Sequence, residues 1–66
     1  MHGYYYTKHA LDRMRRRGIT EDELLEAFHL GRRFKDEKGN WLYEGPRATM
    51  VVCERAVLTV YETYRP

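Results

Sequence analysis

The residues of this chain best suited to chemistry are gathered in two places. His9, Arg13, Arg16 and Arg17 fall within one nine-residue stretch, and Thr59 and Tyr61 alternate with apolar residues near the end. An imidazole changes charge near neutral pH and serves as a general base or acid. A guanidinium presents a fork of donors that fits the non-bridging oxygens of a phosphodiester. At about 100° per residue, His9, Arg13 and Arg16 share one helix face, with Arg17 near its edge. Ala10 and Met14 occupy the adjacent flank, with Leu11 beyond them. Cationic groups four residues apart do not help an isolated helix, and a feature that costs local stability raises a functional question. The bland alternative is that these arginines solvate a helix face and complement its dipole.

The second group depends on strand alternation. In the run from Ala56 to Thr63, a two-residue period puts Ala56, Leu58 and Val60 on one side, toward the core. It puts Val57, Thr59, Tyr61 and Thr63 on the other. A sheet face carrying the Thr59 and Tyr61 hydroxyls, rimmed by a His/Arg helix, suits a phosphodiester. Threonine and tyrosine are also common in strands through propensity alone.

Local signals supply the elements that would position these groups. Thr7 reads as the N-cap of a helix from Lys8 to about Arg17, stopped by Gly18. Thr20 and Glu23 form a capping box, and Glu21, Asp22 and Glu23 suit the positive end of a second helix. Leu24, Leu25, Ala27 and Phe28 give that helix an apolar side, and Gly31 ends it. Tyr4 to Tyr6 suit a short edge strand. Strands are expected at Arg32–Asp36, Trp41–Glu44, Thr49–Glu54 and Ala56–Thr63, broken by Glu37-Lys38-Gly39-Asn40, Gly45-Pro46 and a hairpin at Glu54-Arg55. The run Met50 to Cys53 is apolar on both sides and predicts a central strand, with Cys53 a small core residue. Helices at one end and strands at the other predict an α+β fold. Two N-terminal helices would pack on one face of an antiparallel sheet of three to four strands, leaving the other face uncovered.

Composition bounds the rest. At 66 residues the chain is expected to form a single domain, residues 1–66. One cysteine excludes an internal disulfide framework and a Cys-only zinc site. His2, His9, His29 and Cys53 show no metal-ligand spacing, so neither a metal nor another cofactor is expected. No apolar run reaches the roughly 20 residues that span a bilayer, and none near the start resembles a signal peptide, so no membrane partner and a cytoplasmic location are expected. Net charge is +2, and nine of the twelve basic residues are arginine, which permits a polyanion partner.

The run from His9 to Ile19 reads HAxxRMxxRGI, and Val57-Leu58-Thr59-Val60-Tyr61 follows near the end. This pattern resembles a family of short bacterial proteins grouped with RelE- and BrnT-type toxins in the barnase–EndoU–colicin–RelE fold class. The resemblance spans about His9 to Tyr61. It implies a RelE-like, metal-independent ribonuclease fold, often the toxin half of a toxin–antitoxin pair, though members of such groups can lose catalysis and persist as binding domains. Carried over by position, it points to His9, Arg13, Thr59 and Tyr61 as catalytic residues, and to Arg16 and Arg17 as RNA contacts. Low net charge sets the chain apart from ribosome-dependent toxins.

Metal-free RNA cleavage uses the 2′-hydroxyl as an internal nucleophile. It needs a base, a cation for the developing phosphorane charge, and an acid for the leaving oxygen. His9 suits the base or acid role, Arg13 the cation, and Tyr61 a phosphate or base contact. The expected function is therefore a ribonuclease of toxin type, with RNA as substrate and an antitoxin protein as partner. The alternative is a catalytically inactive RNA- or protein-binding module of the same fold, acting as a homodimer where a second copy covers the open sheet face.

Overall fold

The computed structural model describes residues 2–63. Its elements are β1 (Tyr5–Tyr6), α1 (Lys8–Arg17), α2 (Glu21–Leu30), β2 (Arg32–Lys35), β3 (Trp41–Glu44), β4 (Ala48–Cys53) and β5 (Ala56–Glu62). The fold is α+β: two helices lie on a five-stranded sheet of order β1-β5-β4-β3-β2. The sheet is mixed, where an antiparallel sheet of three to four strands was expected. β1 pairs in parallel with β5, through Tyr5 with Ala56 and Tyr6 with Val57. A two-residue strand is too short to show a period, and its partner lies some fifty residues away in sequence.

Helix ends follow their local chemistry. The Thr7 side chain accepts from the Ala10 amide, and Gly18 closes α1 in the left-handed region at φ 68°. The Thr20–Glu23 capping box is complete at the start of α2. Gly31 ends α2 in extended geometry rather than left-handed, and glycine is required there by space: a Cβ would collide with the carbonyl oxygens of Ala27 and Glu44. The β2–β3 turn is organised by Asp36, whose Oδ1 accepts from the amides of Lys38 at 2.8 Å and Asn40 at 2.9 Å.

α1 packs on β5, and α2 on β3 and β4. The sealed core joins Ala10, Ile19, Leu24 and Ala27 to Tyr43, Ala48, Met50, Val52, Val57 and Val60. Phe28 lies 5.1 Å from Tyr43 and 5.4 Å from Tyr4 between ring centroids, extending this core into an aromatic cluster. Tyr6 ties β1 to α2 by donating its hydroxyl to Glu21 Oε2 at 2.7 Å. Burial first, and then this bond, push the Tyr6 phenol well above its ordinary value.

One irregularity reverses part of the expected alternation. The β4–β5 ladder pairs Val51 with Thr59 but Val52 with Val57, so Leu58 is an extra residue in β5. The bulge brings Val57 onto the core side together with Val60, and both are fully buried. The expectation that Ala56 and Leu58 share the core side with Val60, leaving Val57 outside, is corrected accordingly. Cys53 is also corrected: β4 is central, but this last residue of it is exposed.

Candidate functional site

α1 lies along the outer rim of β5. Beyond its two pairs with β1, β5 has no neighbouring strand on that side among the described residues. Its outward carbonyls find partners on α1 instead. The Thr7 amide donates to the Val57 carbonyl at 3.1 Å, and the Thr7 hydroxyl reaches the carbonyls of Val57 at 3.1 Å and Leu58 at 2.9 Å. Arg13, half-buried, donates Nε to the Val60 carbonyl at 2.8 Å. A strand edge left with bare carbonyls beside a helix would be costly, and a guanidinium satisfies one with a charge-assisted bond.

The other arginines of the stripe are paired on the surface. Arg16 Nε lies 3.1 Å from Asp12 across one helical turn, and an Arg17 terminal nitrogen lies 3.2 Å from Glu62 Oε1. Both pairs are largely exposed, and such pairs contribute about 0–1 kcal/mol. His9 is exposed and makes no hydrogen bond or ion pair among the described residues.

Thr59 and Tyr61 flank Val60, whose side chain is sealed under the helices. Alternation therefore turns both toward the sheet face that the helices do not cover, where their cross-strand partners are Val51 and Thr49. The structure thus groups His9, Arg13, Arg16 and Arg17 on one helix at the β5 rim. It directs Thr59 and Tyr61 to the far face of the sheet. Two surface depressions lie elsewhere, one between Leu30, Arg32, Glu44 and Pro46, the other around Lys35, Lys38 and Asn40.

The uncovered face has a definite composition. One cross-strand row runs Phe34, Leu42, Val51, Thr59, and the next runs Arg32, Glu44, Thr49, Tyr61. Thr49 is nonetheless sealed, its hydroxyl 2.7 Å from that of Thr63, which donates to the Gly45 carbonyl at 2.7 Å. β2 carries Arg-Arg-Phe-Lys, all four residues exposed. On its helix side, the Arg33 guanidinium and the Lys35 ammonium stand 5.0 and 5.2 Å from the centre of the Trp41 ring. Sequence reasoning passed over β2 as a plain strand; the signal available was three cations in a four-residue strand.

Among the described residues no cluster of three or more His, Cys, Asp or Glu side chains is arranged to hold a metal ion. No helix among them is long and apolar enough to cross a membrane. No family model, curated protein or solved structure matches the chain.

Proposed function

We propose that this chain is a non-catalytic interaction module, built on a RelE/BrnT-like plan, that works by engaging a protein partner. The observation that carries this reading is the use made of Arg13. Its Nε is spent on the Val60 carbonyl of its own sheet, while the hydroxyls of Thr59 and Tyr61 point to the other face. A phosphoryl-transfer site needs its cation and its proton donors aimed at one atom. Arg16 and Arg17 lie on the surface, paired with Asp12 and Glu62. The open face, with an apolar row running from Phe34 at the edge through Leu42 to Val51, is the composition of a protein contact rather than of a phosphate groove.

One observation favours the nuclease reading: His9 is exposed and unengaged, one turn from Arg13. The two readings separate in a single assay. Purified protein is incubated with RNA in chelator, beside its His9→Ala variant. The interaction reading expects the RNA to remain intact in both samples. Cleavage by the parent that disappears in the variant refutes it and restores the ribonuclease.

A further inference from the structure

We propose that the free edge of β2 is a strand-addition site for an acidic, extended segment of a protein partner. The inference rests on the reading of the chain as an interaction module, and names its site and the chemistry of its occupant.

β2 is the outermost strand of the sheet on one side. The bond from the Asp36 amide to the Asn40 carbonyl, 2.9 Å, fixes the phase of its ladder with β3. In an antiparallel pair, residues exchange backbone bonds at every second position. Counting back from Asp36, Phe34 and Arg32 turn their main-chain groups to β3. The N–H and C=O of Arg33 and Lys35 therefore point outward. An extended chain laid beside them would find two donors and two acceptors already spaced as a strand requires.

The side chains decide which chain would fit. Arg33 and Lys35 project to the helix side, at the level of Trp41, and Arg32 and Phe34 to the open face. Charged residues on an edge strand are a common guard against unwanted pairing. That guard acts here against a second copy, because an antiparallel β2–β2 pair would set cations against cations. It does not act against acidic side chains. A segment with Asp or Glu at every second position would face Arg33 and Lys35, and its intervening apolar residues would lie beside Phe34, which is 41% exposed. On the other side of the sheet β1 is only two residues long, and Thr7 and Arg13 occupy the Val57, Leu58 and Val60 carbonyls of β5.

The test titrates the isotope-labelled full chain with an end-capped nonapeptide of alternating glutamate and valine. Its controls are a copy N-methylated at every amide and a lysine–valine counterpart. The acidic peptide is expected to slow amide hydrogen exchange at Arg33 and Lys35, and the methylated copy to leave it unchanged. In the Arg33→Glu, Lys35→Glu double variant, affinity should fall on the order of tenfold or more, and the lysine peptide should bind instead. Equal binding of the methylated copy overturns the proposal, and so does protection confined to Val51 and Thr59. Absence of peptide binding, self-association through β2, or oligoribonucleotide binding at these amides in preference to the peptide also overturns it. Peptide failure with RNA left intact removes this site alone, whereas His9-dependent RNA cleavage removes the interaction reading itself.

Discussion

Replacing Arg13 by methionine separates a structural from a catalytic use of the stripe. The substitution keeps an unbranched apolar stem against the flank of α1 and deletes the donor to the Val60 carbonyl. Hydrogen bonds involving a charged group contribute about 1.5–3 kcal/mol. The carbonyl sits at the rim of β5, where water can replace part of the lost bond, so about 2 kcal/mol is the working value. A 66-residue domain has a total stability of about 3–10 kcal/mol at 0.05–0.15 kcal/mol per residue. The loss is therefore a large share of it, and corresponds to a fall in Tm of about 8–16 °C for a domain of this size. His9→Ala, at an exposed site without partners, should stay within about 0.5 kcal/mol of the parent. Thermal and urea unfolding followed by circular dichroism measure both. An Arg13→Met variant that melts with the parent would show that the Val60 contact holds nothing together, and the argument from it would fail.

Three further outcomes follow from single residues. Glu54 is held at φ 56° in the β4–β5 hairpin, where a side chain costs about 1–2 kcal/mol, part of it offset by the greater unfolded freedom of glycine. Glu54→Gly should therefore raise the urea midpoint by an amount equivalent to about 0.5–1 kcal/mol. Gly31→Ala drives a methyl into two backbone oxygens that cannot move aside, and should cost about 3 kcal/mol or more, read as a lowered urea midpoint or an unfolded product. Because the Tyr6 phenol is raised by burial and by its bond to Glu21, the unfolded chain releases that proton first as pH climbs past about 10. Stability from this group is complete below that pH and is lost above it, so the alkaline decline in stability should be shallower in Tyr6→Phe.

What the sequence disclosed is what local chemistry controls. Thr7, the Thr20–Glu23 pair and Gly18 act within a turn of their own position, and each marks its helix end. β3 matches its expected span, and β2, β4 and β5 fall within a residue of theirs at each end. The features that escaped are set by partners distant in the chain. Tyr4 to Tyr6 suit an edge strand by themselves, but the parallel pairing of β1 depends on β5, some fifty residues away. The Leu58 bulge carries no glycine to announce it, yet it shifts Val57 from the wet face to the core. Leu11, placed beyond the apolar flank of α1, is 48% exposed, while Ala10 and Met14 are the apolar residues of that helix that pack into the core. His9 and Arg13 both lie on α1, one turn apart. Whether the Arg13 guanidinium serves a ligand or its own backbone depended on where that helix meets β5, which no periodicity encodes.

The two rims of the sheet make the closing argument. Backbone groups at a strand edge must bond to something, and a small fold has few elements to spend on them. Here α1 is spent on β5: its N-cap threonine and its half-buried arginine take the outward carbonyls of Val57, Leu58 and Val60. Nothing comparable among the described residues lies over β2, whose four residues are all exposed. Among the described residues it is charge that guards β2, and charge is selective in a way that a covering helix is not. Under the strand-addition proposal it rejects the same strand on another copy and accepts one of opposite sign. Arg13, a candidate for catalysis, thus helps to satisfy the edge of β5, and under the same proposal it is the side chains of β2 that choose a partner.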